Sequence, residues 1–152
     1  MGDIQMQITI PNDNDGFTLL KCELCGGYFK LRPSEIQDDS VIYVWCPNCG
    51  LLSESYITDD VIDLAMKISK NLVIDNFNKE MKRMEKKFKG NGLSFKQGNK
   101  IKKDEEIPLI AGIKALEIQK YKCCKKEAKI NFLMKECGSY CPYCGEIYNE
   151  IE

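Results

Sequence analysis

Two C-x2-C pairs separated by twenty residues constrain the fold of this chain more than any other feature. The pairs are Cys22 with Cys25 and Cys46 with Cys49. Two such pairs at about this separation are typical of a zinc site, because each pair folds as a tight turn that presents both sulfurs to one side. A glycine follows each pair and can adopt the positive φ that the turn requires. The spacing therefore predicts that these four thiolates hold one Zn²⁺.

Four cysteine ligands leave no open coordination position, so the predicted zinc is structural rather than catalytic. The chain has nine cysteines and no histidine, which means that thiolates must supply the ligands of any zinc here. Two alternatives are a metal-free set of reduced, buried thiols and a redox-active C-x2-C pair. A redox pair belongs in a βαβ setting, which the sequence does not offer.

A second, degenerate cysteine group lies near the end of the sequence. Cys141 and Cys144 in CPYCG match the CPNCG turn at 46–50, but the upstream cysteines, Cys123 and Cys124, are adjacent. Both can bind one metal only if the backbone turns there, because neighbours in an extended strand point to opposite faces. Alternatively, one of them binds together with Cys137, or the site is lost and the cysteines pack as small apolar side chains. We predict a second zinc site with Cys123, Cys124, Cys141 and Cys144 as ligands.

The remaining sequence predicts short strands around the cysteine pairs and one long helix. Thr58 is a suitable helix cap, and apolar side chains follow at spacings of three and four from Val61 to Phe88, with one change of register near Leu72. We therefore predict an α+β fold in which two small antiparallel zinc-ribbon β units are joined by a long amphipathic helix and a flexible linker. The predicted segments are 1–57 (first ribbon with a preceding strand at 4–10), 58–90 (helix), 91–112 (linker) and 113–152 (second ribbon).

The sequence suggests a reducing compartment. No stretch approaches the roughly 20 apolar residues of a membrane span, and the first residues lack the basic-then-apolar layout of a signal peptide. Regularly spaced cysteine pairs in such a chain indicate metal rather than disulfides. We expect a cytoplasmic protein with no membrane partner and no small-molecule substrate.

With these turns in view, the chain resembles the zinc ribbons named after transcription factor IIB, and in particular uncharacterised bacterial proteins that contain such a ribbon. The matching residues are CELCGG with CPNCG and, more loosely, YKCC with CPYCG. The resemblance covers about residues 17–57, with a degenerate copy at 113–151. It implies a metal-binding β fold and a nucleic-acid or transcription neighbourhood, but zinc ribbons serve many processes, so it is weak support for any one activity.

Charge is unevenly distributed along the chain. Residues 61–103 contain 12 Lys or Arg against 4 Asp or Glu, whereas the remainder contains 10 against 19. The basic middle predicts sequence-independent contact with nucleic-acid phosphates, with the cysteine-rich ends away from the contact. The candidate residues on the helix are Lys79, Lys82, Arg83, Lys86, Lys87 and Lys89. A solvated face of an amphipathic helix is the alternative interpretation.

Two other functions are compatible with the sequence. The helix includes Met66, Met81 and Met84, and methionine-rich apolar faces suit adaptable protein partners, so residues 59–89 could act as an adaptor or self-associate. The other is enzymatic: Asp38 and Asp39 form an acidic pair near the predicted hairpin tip of the first ribbon, and zinc-ribbon transcript-cleavage factors carry an acidic pair at a comparable tip that helps hold Mg²⁺ in the polymerase site. The surrounding residues do not match those factors, and Asp-Asp-Ser is common in turns. With no histidine and no glycine-rich phosphate loop, we expect a binding or regulatory protein rather than an enzyme.

Overall fold

The computed structural model describes residues 5–90, 92, 94–113 and 115–149 of this 152-residue chain. It divides into two compact units. The first, called the β unit here, comprises Met1–Asp59 and Leu109–Glu152. The second, called the helix unit, comprises Asp60–Pro108. The β unit thus combines the two cysteine-rich parts of the sequence, and the helix unit contains the basic middle.

Four antiparallel strands form the main sheet of the β unit. They are β1 (Thr18–Lys21), β2 (Tyr28–Leu31), β3 (Leu116–Tyr121) and β4 (Lys126–Asn131). Their order in the sheet is β1-β2-β4-β3. The β1–β2 hairpin contains the first C-x2-C pair, and the β3–β4 hairpin contains the doubled cysteine. The two hairpins meet along β2 and β4, where Lys30 lies opposite Lys129.

Short elements complete the secondary structure. The helices are α1 (Pro33–Ile36), α2 (Asp59–Lys87) and α3 (Phe132–Cys137), and a small sheet pairs β5 (Ser139–Tyr140) with β6 (Ile147–Tyr148). The Asn131 side chain caps α3 by accepting a hydrogen bond from the N–H of Leu133 at 2.9 Å. An isolated β-bridge pairs Trp45 with Leu52 around the cysteine turn at 46–50, in the same way that the β5–β6 pair encloses the cysteine turn at 141–145.

The two halves of the β unit have the same order of parts. Each contains a hairpin, a short helix and then a second cysteine turn, and the sheet order is symmetric about the β2–β4 pair. The structure corrects the prediction of two separate ribbons at 1–57 and 113–152, because strands from both lie in one sheet. An isolated hairpin leaves one row of backbone groups unpaired on each edge, and pairing β2 with β4 satisfies an edge of both.

The core of the β unit lies on one face of the main sheet. Phe29 and Leu31 from β2 and Ala128 and Ile130 from β4 are fully buried there. Their alternation along each strand is the pattern of a sheet with one face turned to the core. Three of the predicted metal ligands, Cys22, Cys46 and Cys141, belong to the same buried cluster. Core and cysteine groups are therefore one packing unit.

An ion cluster lies on the opposite face of this sheet. The Asp13 carboxylate accepts from Lys30 Nζ at 3.1 Å and from Lys129 Nζ at 2.8 Å. Its other oxygen accepts the backbone N–H groups of Asp15 and Phe17. Burial alone would raise the pKa of Asp13, but the hydrogen bonds from Lys129, the Phe17 N–H and Lys30 hold it well below its usual value. This carboxylate thus compensates two lysines that face each other across β2 and β4.

The helix unit consists of α2 and a segment that runs along it. Asn71 is buried in α2, and its side chain donates to Asp104 O at 2.9 Å and accepts from Asp104 N–H at 2.8 Å. Lys70 and Asp75 add ion pairs to Asp104 and Lys103. The sequence predicts a flexible linker over 91–112. The described part has no helix or strand, but its residues near 104 are held on α2 and are not a free tether.

Two further expectations are corrected. The predicted strand at 4–10 is absent from residues 5–10, and Ile4 lies outside the described residues. Alternation of apolar and polar side chains is present there, but no neighbouring strand pairs with it among the described residues. The helix predicted over 58–90 is observed as Asp59–Lys87. Among the apolar side chains of this helical pattern, Val73, Phe77, Met84 and Phe88 are exposed.

Candidate metal centres

The first cysteine group brings together the four sulfurs that the spacing predicts. Cys22, Cys25, Cys46 and Cys49 each offer one Sγ, and these atoms all lie within 4.8 Å of one another. The Cys22–Cys49 and Cys25–Cys46 sulfur distances are 3.9 and 3.6 Å. A tetrahedron with metal–sulfur bonds of 2.3 Å has sulfur–sulfur edges of about 3.8 Å. The donor set and its size therefore fit a tetrahedral thiolate-bound metal such as zinc.

Backbone hydrogen bonds fix the shape of each C-x2-C turn. The first cysteine of the turn accepts at its carbonyl from the glycine that follows the second, as in Gly26 to Cys22 at 2.9 Å and Gly50 to Cys46 at 2.8 Å. Both glycines have φ of 71°, a conformation that costs other residues energy. The third turn, with Gly145 bonded to Cys141 at 2.8 Å and φ of 78°, has the same geometry.

The second cysteine group uses both members of the doubled cysteine. Cys123, Cys124, Cys141 and Cys144 also have their sulfurs within 4.8 Å of one another, and Cys123 lies 3.6 Å from Cys144. Of the three arrangements that the sequence leaves open, the structure agrees with the first in bringing the sulfurs of both Cys123 and Cys124 into the group. Residues 122–125 form a four-residue turn between β3 and β4, and Lys125 adopts φ of 55° to close it. Cys137 is exposed and belongs to neither group.

The electrostatics of both groups depend on the balance of burial and hydrogen bonding. Burial raises the pKa of the Cys46 and Cys141 thiols far above the ordinary value, and it raises the pKa of Cys124 to about 11. Burial acts on Cys22 in the same direction, but backbone N–H groups of Cys25 and Leu24 bring its pKa below the ordinary value. A divalent cation would compensate the thiolate charge, and its binding would release protons.

The second cysteine turn of the first group, at 46–50, and that of the second group, at 141–145, are joined by backbone hydrogen bonds between the residues that precede and follow their first cysteines. Trp45 N–H donates to Pro142 O at 2.8 Å, and Tyr140 N–H donates to Pro47 O at 3.0 Å, which is a reciprocal pair of bonds. A Cβ added at Gly145 would lie 2.8 Å from the Trp45 ring. Sequence reasoning missed this contact between the groups. Its one visible signal is that an aromatic residue stands immediately before the first cysteine of CPNCG and of CPYCG.

The predicted nucleic-acid-binding residues lie at the C-terminal end of α2. Five are on the helix and Lys89 follows its last residue; all six are exposed: Lys79, Lys82, Arg83, Lys86, Lys87 and Lys89. Lys79, Lys82 and Lys86 follow one another at spacings of three and four and therefore share a face. Arg83 pairs with Glu80 at 2.7 Å. For the other five, the described residues provide no ion pair within 4.0 Å.

Asp38, the first residue of the acidic pair, makes hydrogen bonds within the β unit. Asp38 accepts from the Ser40 N–H at 2.9 Å and from Lys126 Nζ at 3.2 Å. The hydrogen bonds from Ser40, followed by that from Lys126, lower the pKa of Asp38 to about 2. The carboxylate thus closes a turn and contacts the start of β4.

Comparisons with family models, with curated proteins and with solved structures give no match to this chain. Over the residues that the structure describes, no helix combines the length and the apolar character needed to cross a membrane. What the chain can do must therefore be argued from its two four-cysteine groups and from the surfaces of α2.

Proposed function

We propose that this chain is a non-catalytic zinc protein whose basic helix face binds nucleic-acid phosphates. Zn²⁺ would be held by Cys22, Cys25, Cys46 and Cys49 and, in the second group, by Cys123, Cys124, Cys141 and Cys144. The observation that carries the proposal is the presence of two closed, all-sulfur groups in one small β unit. Four thiolates fill the tetrahedral shell of zinc, which leaves no position for a substrate or an activated water.

The role of zinc in this proposal is to stabilise the fold. Main-sheet strands of only 4 to 6 residues provide little apolar burial. Structural zinc contributes about 10–16 kcal/mol in zinc-finger peptides, which exceeds the net stability of most small domains. Both groups adjoin the buried core, so their loss would remove packing as well as metal bonds.

Native mass spectrometry with elemental analysis of the purified, reduced chain tests the metal content. We expect two zinc ions per chain, two in Cys137→Ser, and one fewer in Cys124→Ser. Cys137→Ser is the matched control, because this thiol is exposed and outside both groups. A wild-type chain with one zinc or none would contradict the proposal for the second group, and so would the loss of one zinc from Cys137→Ser.

The nucleic-acid part of the proposal is supported by charge and exposure. Six exposed basic side chains occur within one eleven-residue stretch at the end of α2, and five of them are lysines. Such a cluster neutralises phosphates and releases counterions, which gives affinity that falls steeply with salt and does not depend on sequence. The resemblance to transcription-factor zinc ribbons agrees with a partner of this class.

Fluorescence anisotropy with a labelled 20-base-pair duplex of arbitrary sequence, between 50 and 200 mM salt, tests this contact. We expect Lys82→Glu/Lys86→Glu to weaken binding and to reduce the slope of log K against log salt by about 2, because each phosphate contact contributes about 1. The control Lys120→Glu/Lys122→Glu makes the same charge change on the β unit and should leave binding within a few-fold. Equal effects of the two double variants would contradict a specific role of the helix face.

A further inference from the structure

A largely exposed apolar stripe runs along α2. Its six members are between 39% and 68% exposed: Ile62, Met66, Val73, Phe77, Met84 and Phe88. With 100° between successive helical residues, they fall within an arc of about 80° on one side of the helix. Phe88 continues the helical pattern beyond the last helical residue, because its N–H donates to Met84 O at 3.1 Å. Long exposed apolar surfaces of this kind mark interaction sites.

The stripe repeats every eleven residues. Ile62, Val73 and Met84 form one series, and Met66, Phe77 and Phe88 form the other, each with a spacing of eleven. Eleven residues in three turns give 3.67 residues per turn, which lies close to the 3.6 of an unstrained helix. A helix with this repeat can keep one seam against another helix over its full length, with a slight right-handed supercoil.

The stripe lies apart from the buried face and from the basic face of α2. Asn71 and Ile74, buried within the chain, stand about 140° and 80° from the middle of the stripe around the helix. The basic residues Lys79, Lys82 and Lys86 lie on nearly the opposite side of the helix. A partner on the stripe would therefore leave the phosphate-binding face free. Phe95 covers Phe88 in part, with ring centroids 6.5 Å apart.

We infer that the stripe binds a second copy of this chain, with the two α2 helices antiparallel. The charges on α2 favour this orientation: residues 59–69 contain three acids and one lysine, whereas residues 79–89 contain six basic and two acidic residues. A parallel pair would place two basic ends together. An antiparallel pair places the acidic beginning of each helix beside the basic end of the other.

The stripe is also self-complementary in this orientation. Its spacings of 4, 7, 4, 7 and 4 read the same in both directions about position 75. With the two helices crossing at that position, Ile62 lies level with Phe88 of the second copy, Met66 with Met84, and Val73 with Phe77. A two-fold interface requires this kind of pairing, in which residue i meets j and j meets i.

The area is sufficient for a weak dimer. Large apolar side chains have surfaces of roughly 150–200 Å², so six of them at about half exposure contribute on the order of 500 Å² per chain, or roughly 1,000 Å² for the pair. Flanking side chains would add to this. Interfaces near this limit are at the weak end of specific association, so we expect dissociation constants on the order of 1–100 μM.

Sedimentation of the zinc-loaded, reduced chain between about 1 and 300 μM, without nucleic acid, tests the inference. We expect a monomer–dimer equilibrium that Phe77→Glu weakens at least tenfold. Lys100→Gln is the matched control, because it also changes the net charge by −1 but lies at an exposed position outside α2; it should leave the equilibrium unchanged. A wild-type chain that is monomeric at 300 μM would overturn the inference and assign the stripe to another occupant.

Photo-crosslinking determines the orientation and does not require a destabilised variant. With benzoylphenylalanine in place of Met66, we expect crosslinked peptides that join position 66 to the region of Met84 in the second copy. Crosslinks from position 66 to position 66 would indicate a parallel pair and would overturn the antiparallel arrangement. A dimer that Phe77→Glu does not weaken would place the interface elsewhere and overturn the role of the stripe. Because no nucleic acid is present, these outcomes are independent of the proposed phosphate contact.

Discussion

Substituting Asp13 by asparagine should separate the contribution of the ion cluster from that of zinc in joining the two halves of the β unit. Lys30 and Lys129 face each other across β2 and β4, and the Asp13 carboxylate accepts from both. Like charges directly opposite on neighbouring strands are destabilising. Asparagine retains the shape and an acceptor oxygen for the N–H groups of Asp15 and Phe17 but removes the charge.

The expected cost follows from burial and from the partners that remain. The side chains of Lys30, Lys129 and Asp13 are only 4%, 12% and 14% exposed. Removing one partner of a buried pair costs about 3–5 kcal/mol. Lys129 keeps an ion pair with Asp15 at 2.6 Å, and Lys30 keeps the Ala111 carbonyl at 3.3 Å, so we expect Asp13→Asn to cost about 2–3 kcal/mol. Asp15→Asn, at a largely exposed position, should cost less than about 1 kcal/mol.

Urea titration at pH 7, with fixed free zinc and reductant, measures this cost. The single tryptophan, Trp45, lies in the β unit, so its fluorescence reports the unfolding of that unit. With a slope of about 1–3 kcal/mol per molar urea, the midpoint of Asp13→Asn should fall by roughly 0.7–3 M. If Asp13→Asn and Asp15→Asn have equal midpoints, the cluster does not stabilise the β2–β4 junction and the reasoning is refuted.

The pH dependence of the same difference supplies a second check. The pKa of Asp13 is lower in the folded chain than its unfolded value of about 3.9. Its stabilising contribution is therefore fully present above that value and is lost as pH falls through the lower folded pKa. The difference in unfolding free energy between wild type and Asp13→Asn should be the same at pH 6 and pH 7. A difference that changes between these two values would indicate another titrating group.

Three further substitutions, with Gly16→Ala as a control for the first, test the turns and the core by the same urea titration. Gly145→Ala should lower the free energy of unfolding by at least about 2 kcal/mol, because the added methyl group would clash with Trp45 and the positive φ would be strained. At Gly16, φ is 81° and the space beside the residue is open, so Gly16→Ala should lower it by only about 1 kcal/mol, from the strain alone. Equal losses in the two variants would contradict the ring contact. Tyr143→Phe should cost about 1–3 kcal/mol, because its buried hydroxyl lies 2.7 Å from Glu127 O and 2.9 Å from the Glu35 carboxylate; an unchanged midpoint would be contrary to this. Lys125→Gly should raise the free energy of unfolding by up to about 1 kcal/mol, because glycine adopts the φ of 55° at this position without strain. A loss of stability would show that the lysine side chain contributes more than the strain costs.

The sequence was sufficient for the local geometry of the cysteine turns. C-x2-C followed by glycine specifies a turn from covalent spacing and from one residue with positive φ, and both features can be read within six residues. For the doubled cysteine, the sequence left three ligand arrangements open. The turn at 122–125 is closed by Lys125 with positive φ, a conformation that lysine rarely adopts, so no sequence signal predicts the turn. The structure, rather than the sequence, excludes Cys137 from the group.

The joining of the two halves could not be predicted from the sequence. Lys30 and Lys129 are partners across 99 positions, and neither strand contains a local signal for its neighbour. The helix posed a different problem: periodicity identified its apolar residues but not which of them are covered. The spacing places Val61 and Val73 in one stripe with a change of register, whereas in the structure Val61 is buried and Val73 is exposed on a separate stripe.

The merged sheet provides a physical reason why the second group tolerates a departure from C-x2-C. In an isolated ribbon, only the hairpin and the metal fix the positions of the sulfur atoms. A change in the turn would therefore displace the sulfurs, because no other part of the fold would hold them in place. Here β4 is paired on one side with β3 and on the other with β2, and the Cys141 turn is held to the first half by the bonds of Trp45 and Tyr140. The pairing of β4 on both sides thus holds the turn at 122–125 beside the Cys141 turn. The turn at 122–125 can then be tighter than a C-x2-C turn and still offer two sulfurs. The strands, rather than the turn itself, bring Cys123 and Cys124 to the sulfurs of Cys141 and Cys144.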